Sequence, residues 1–253
     1  MRLHHRIEGD GPWVTLAHSL ASNLTLFDDL AARLARRHRV LRLDLRGHGA
    51  SPAPNGPYAM AELAGDAAEL LDGLGAAGTA WVGVSLGGMV GLTLALDRPD
   101  LVARLVAADT TAGYPEALHA GWRARMDAVR AGGTEAVVDG TLARWFTPEF
   151  RAANPGLVRR FAESIAATPA EGFLGCCEAI LGYDIAPCLA RIACPTLVVV
   201  GEADEATTPA MARALADGIP GAALSVIPAA AHQACAEQPE LFARTVEGFL
   251  QAA

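Results

Sequence analysis

The chain has 253 residues, 52% hydrophobic and 19% charged, enough to bury a large core as one domain or as one domain with an insertion. Its net charge of −8 comes without any block of Lys or Arg, which argues against a nucleic-acid or anionic-membrane partner, since both need a concentrated cationic face. No secretory signal core or bilayer-length apolar run is visible. The five cysteines (Cys176, Cys177, Cys188, Cys194, Cys235) lack metal-ligand spacing, so reduced thiols in a cytoplasmic protein are expected.

Taken in order, residues 2–7 and 13–17 read as strands joined by the turn-forming Glu8-Gly9-Asp10-Gly11-Pro12. The second runs into the polar loop His18-Ser19-Leu20-Ala21-Ser22-Asn23, at the strand end where open α/β sheets gather ligand groups. Leu26, Phe27, Leu30 and Leu34 have helical spacing within 23–37, with acids early and arginines late. A strand at 39–45, a helix at 60–74, a strand at 79–84, a helix at 86–96 and a strand at 101–108 follow. That alternation predicts a parallel sheet with right-handed crossovers. From 115 to 191 only helical patterns appear, at 116–131, 135–146, 155–167 and 170–181. Strands at 195–201 and 223–227, with helices at 209–216 and 240–250, resume the sheet pattern. The expected organisation is a core from 1–113 and 192–253 with a helical insertion over 114–191.

Chemistry enters at Gly83-Val84-Ser85-Leu86-Gly87, a G-x-S-x-G pattern between a strand and a helix. Ser85 on such a turn adopts a strained backbone and exposes its hydroxyl, while Gly83 and Gly87 leave room for close backbone approach. A serine hydroxyl is a weak nucleophile near neutral pH and needs a base oriented by a third group. His232 follows the last predicted strand at the same sheet edge and is the candidate base. Asp204, after the strand ending at Gly201, gives the order Ser, Asp, His; Asp109 at the end of another strand is the rival acid. The Leu86 amide, at the new helix's N-terminus, and the Leu20 amide are the expected oxyanion donors. His18 is a candidate for substrate contact or for bracing the Leu20 loop, and His48 is expected to structure its own loop.

These residues resemble the α/β-hydrolase fold family along essentially the whole chain, and within it the 3-oxoadipate enol-lactonases of aromatic-compound catabolism. The stretches that carry the likeness are 40–51, 83–88, Arg144-Trp145-Phe146-Thr147, Glu171-Gly172-Phe173 and Cys177-Glu178-Ala179-Ile180. The resemblance implies a mostly parallel central sheet flanked by helices, with a helical lid inserted after the sixth strand. It also implies a serine hydrolase of the β-ketoadipate pathway that opens a small carboxylate-bearing lactone without metal or organic cofactor, with Arg144 and Trp145 as substrate-binding residues. A carboxylesterase and a carbon–carbon bond hydrolase share the chemistry; Gln233 after His232, where the latter commonly carry Trp, counts against that reading. A small-molecule binding protein that kept the fold is the non-enzyme alternative. The oligomeric state is left open.

Overall fold

The computed structural model describes residues 1–251. Seven strands form one sheet: β1 (His5–Glu8), β2 (Trp13–Ala17), β3 (Arg39–Leu43), β4 (Thr79–Val84), β5 (Val102–Ala108), β6 (Thr196–Gly201) and β7 (Ala223–Ile227). Their spatial order is β1-β3-β2-β4-β5-β6-β7. Among the described residues only β1 runs antiparallel, pairing with β3, and the other pairs are parallel.

The central strands read as continuous apolar runs because both faces are covered. Trp81, Leu105, Val198 and Val200 face one core with α2 (Met60–Leu74), α3 (Leu86–Asp97) and α9 (Pro209–Gly218). Val82, Val106, Leu197 and Val199 face the other, closed by α1 (Asp28–Leu34), the short α10 (Ala234–Glu237) and α11 (Pro239–Gln251). Each such aliphatic side chain contributes about 1.5–3 kcal/mol by leaving water. Residues 86–95 of α3 are all buried, so this helix has no solvent face and lies in the middle of the molecule.

Register sets the functional edge. Ala17 pairs with Gly83, Val84 with Ala108, Ala108 with Val199 and Gly201 with Ile227, so the carboxyl ends of β2, β4, β5, β6 and β7 share one edge, with β6 and β7 running two residues further. The loops that leave them carry Leu20, Ser85, Asp109, Asp204 and His232 respectively.

Between β5 and β6 the chain forms α4 (Glu116–Gly132), α5 (Val138–Trp145), α6 (Pro148–Ala153), α7 (Pro155–Ala166) and α8 (Ala170–Leu181). The insertion therefore follows the fifth strand rather than the sixth, because a single edge strand, β1, precedes Trp13–Ala17. The expected helix at 135–146 begins as a 3-10 turn, Thr134–Val137, before α5. The helix expected at 23–37 is likewise a 3-10 turn, Leu24–Phe27, leading into α1, with the Asn23 side chain accepting from the Thr25 amide. Helix α6 was not expected. It starts at Pro148, whose missing N–H is harmless there, and the Thr147 hydroxyl caps it by accepting from the Phe150 amide at 3.2 Å.

Helix α8 seats the insertion on the loop after β3. A Cβ at Gly172 would lie 2.1 Å from the Gly47 carbonyl oxygen, and one at Gly175 would lie 2.6 Å from the Tyr58 ring. Among the described residues, no helix is long and apolar enough to cross a membrane.

Candidate active site

Ser85 sits at the turn from β4 into α3 with φ 54° and ψ −112°, a conformation costly to a residue with a side chain. The surroundings enforce it. The Ser85 amide donates to the Ala108 carbonyl at 2.8 Å, the Thr110 hydroxyl donates to the Ser85 carbonyl at 2.8 Å, and the Trp81 indole N–H donates to Gly87 at 2.9 Å. A Cβ at Gly83 would lie 2.1 Å from the Gly87 oxygen, and one at Gly87 would lie 2.1 Å from the Ala17 oxygen. The turn is thus clamped between strand and helix, with the serine at its crest.

The structure brings Ser85, His232 and Asp204 together. The Ser85 Oγ lies 3.0 Å from His232 Nε2, and His232 Nδ1 lies 2.9 Å from Asp204 Oδ2. Asp204 also accepts from the Ala206 and Thr207 amides at 2.8 and 2.9 Å and from the Thr207 hydroxyl at 2.8 Å. With the Asp204 carboxylate as acceptor, the Nδ1–H tautomer is selected and Nε2 is left to accept from serine. Burial pushes the Asp204 carboxyl up, but the His232 charge and these hydrogen bonds outweigh it and hold it below its ordinary value. For His232, burial disfavours the cation, and the charge and hydrogen bond of Asp204 overcome that to raise it.

Asp109 does not reach the imidazole. Its two carboxylate oxygens accept from the Gly201 amide at 2.9 Å and the Ala234 amide at 3.1 Å, tying the end of β6 to the histidine loop. Burial, then the neighbouring Asp204 charge, pushes its carboxyl well above the ordinary range.

The Leu20 and Leu86 amides find no acceptor among the described residues, and Leu20 lines the same cavity as Ser85. His18 is not at the cavity, which corrects its assignment to substrate contact. It is wholly buried; Nδ1–H donates to the Ser19 carbonyl at 2.8 Å and Nε2 accepts from the Leu45 amide at 3.0 Å. His48 works alongside it, donating from Nδ1 to the Arg46 carbonyl at 3.0 Å and accepting the Ala21 amide at 2.9 Å. Burial lowers both rings, His48 to about 3, so each stays neutral and serves as a backbone brace.

A cavity of about 170 Å³ opens above the serine, lined by Leu20, Ser85, Arg125, Arg144, Trp145 and His232 among others. It is smaller than the roughly 300–1,000 Å³ of drug-sized ligand sites and suits a small acyl compound. A larger groove of about 1230 Å³ runs along α1, α7 and α11 and contains neither Ser85 nor His232.

Arg125 was not anticipated. It follows Leu118 and Trp122 at helical spacing on α4, and that apolar stripe ending in arginine was the available signal. Its guanidinium lies over the Trp122 ring at 4.7 Å and near Phe173 at 5.6 Å, and its buried Nε has no partner among the described residues. Burial, then the like charge of Arg144, lowers Arg125 to about 10; burial lowers Arg144 too. Among the described residues neither arginine makes an ion pair with a carboxylate; Arg125 donates to the Thr141 hydroxyl at 3.4 Å.

The wall carrying Arg144 and Trp145 hangs from the histidine loop. The Gln233 amide donates to the Trp145 carbonyl at 3.1 Å. Glu237 accepts from the Thr147 amide at 2.9 Å, the Thr147 hydroxyl at 2.8 Å and the Ala231 amide at 3.1 Å.

Comparison with known proteins fits this geometry. The alpha/beta hydrolase fold family model matches residues 12–239. A 3-oxoadipate enol-lactonase from Acinetobacter baylyi is 35% identical over 96% of this chain and 90% of its own. The solved enol-lactonase of Burkholderia xenovorans is 36% identical, with a TM-score of 0.95 over 99% of this chain and 96% of that one. A thermophilic esterase from Thermogutta terrifontis, solved with malate bound, is 28% identical, with a TM-score of 0.93 over 98% of this chain and 93% of that one.

Proposed function

The chain belongs to the α/β-hydrolase fold family, and we propose that within it this protein is a serine hydrolase opening a small lactone that carries a free carboxylate, of the 3-oxoadipate enol-lactone type. The observation that carries the reading is a Ser85–His232–Asp204 chain beneath two arginines without acidic partners. Guanidiniums without an acidic partner in a partly desolvated cavity are costly unless an anion joins them, so the site favours an acid over a neutral ester.

In this reading His232 takes the Ser85 proton as Oγ attacks the lactone carbonyl, and Asp204 stabilises the imidazolium. The Leu20 and Leu86 amides hold the oxyanion. The ring C–O bond breaks as the His232 imidazolium returns its proton to the ring oxygen, which leaves as an enol still attached to the acyl chain and tautomerises to a ketone, with His232 neutral again. Water deprotonated by His232 then cleaves the acyl–serine ester, releasing the keto acid and restoring Ser85. Names and likeness of the lactonase relatives support the substrate class. The malate held by the esterase relative is itself a small carboxylate.

A panel of a carboxylated enol-lactone, p-nitrophenyl esters and vinylogous diketones tests it, with Ser85→Ala as control. The expected result is the highest kcat/KM on the enol-lactone and none with Ser85→Ala. Turnover of the diketone alone, or an active Ser85→Ala, overturns the reading.

A further inference from the structure

Ser19, immediately before Leu20 in the loop after β2, is 1% exposed, yet it lines the cavity beside Ser85 and His232. Its bonding capacity is almost used up. Its carbonyl oxygen accepts from His18 Nδ1–H at 2.8 Å and from the Ser22 amide at 3.2 Å, so its backbone cannot turn. Its Oγ lies 2.7 Å from the Nε2 of Gln233, a fully buried residue. The other end of that side-chain amide accepts the Cys235 thiol at 3.8 Å, and the Gln233 main-chain N–H is held by Trp145. An amide NH2 can only donate, so the Ser19 oxygen accepts from it and the hydroxyl proton must point elsewhere. Among the described residues no acceptor stands there; what remains is the cavity.

We propose that Ser19 is a catalytic residue: its hydroxyl, aimed by Gln233, donates a hydrogen bond to the tetrahedral oxyanion beside the Leu20 and Leu86 amides. The inference rests on Ser85 as the nucleophile. It explains why the residue after the base is a glutamine. One loop then carries the base in His232 and the group that orients a donor on the opposite wall in Gln233. A preorganised donor of this kind acts on the charge that develops during reaction, so its loss falls on kcat more than on KM.

The test compares wild type, Ser85→Ala, Ser19→Ala, Gln233→Met and the Ser19→Ala/Gln233→Met double variant on a p-nitrophenyl ester and on the enol-lactone. An arylboronic acid serves as a tetrahedral mimic. Ser19→Ala is expected to lower kcat about 10- to 100-fold with KM within about twofold, and to weaken the boronate in the same proportion. Gln233→Met, which frees the hydroxyl rotor, is expected to cost about three- to tenfold, and to add nothing in the Ser19→Ala background. Thermal melting separates a folding defect from a catalytic one. Boronate affinity and kcat unchanged in Ser19→Ala overturn the proposal, as do additive losses in the double variant. An active Ser85→Ala would instead overturn the nucleophile assignment on which it stands.

Discussion

At the scale of single residues, the site is a chain of assigned protons beneath two arginines that make no ion pair among the described residues. His232 must be neutral to act as a base, and Asp204 raises it above the ordinary value of 6.5. The acid limb of kcat/KM is therefore expected above pH 6.5. Asp204→Asn removes the charge that sustains the shift, so the limb should move to lower pH, and loss of the favoured tautomer should reduce turnover by roughly 10³- to 10⁴-fold. A pH–rate profile of both enzymes checks this; an unmoved limb would transfer the role to Asp109. Arg125 makes a different prediction. Arg125→Met keeps the stack on Trp122 and removes the charge, so KM should rise about tenfold or more for an anionic lactone and change little for a neutral ester. Steady-state kinetics on the two substrates distinguish these outcomes.

At the scale of elements, the insertion's orientation depends on glycines where α8 meets the core. The Gly47 and Gly172 backbones approach so closely that a side chain at either one collides with main chain, which cannot swing aside. Gly172→Val should therefore destabilise the protein by about 1–3 kcal/mol, measured by chemical denaturation. The same variant should raise KM for the anionic substrate, because α8 carries the Phe173 ring beside Arg125. A destabilised protein with unchanged KM would show that α4 is held independently of α8.

Across the whole molecule, what could be read from the chain is what repeats locally. Strands with apolar residues on both faces, the elbow between its glycines, and loops at matching strand ends all announce themselves within a few residues, and these bring Ser85, Asp204 and His232 to one edge. What stayed hidden depends on partners far apart in sequence. The Ser19–Gln233 bond joins residues 214 positions apart, and the Thr147–Glu237 bonds join residues 90 apart. No periodicity encodes such a pair. Arg125 was obscured because an arginine on an amphipathic helix ordinarily faces water, and only tertiary packing turned it inward. For His18 the sequence leaves both substrate contact and loop bracing open, because its place in a loop at the ligand edge says nothing about which way the ring turns; the ring turns into the loop.

The bonds from Glu237 to Thr147 and Ala231 also bear on how such proteins can be recombined. The helices between β5 and β6 look like an exchangeable cassette, joined to the core at two chain crossings. Yet the strut that fixes the far wall belongs to the core, on the segment just beyond His232. A foreign cassette spliced between residues 113 and 192 would arrive without its matching threonine and would leave buried Glu237 with the Ala231 amide but without its two bonds from Thr147. Such chimeras should lose turnover even on substrates that their new pocket fits. Restoring a threonine opposite Glu237 should recover kcat without altering substrate preference, so substrate choice and catalytic competence are heritable separately only if that one contact travels with the cassette.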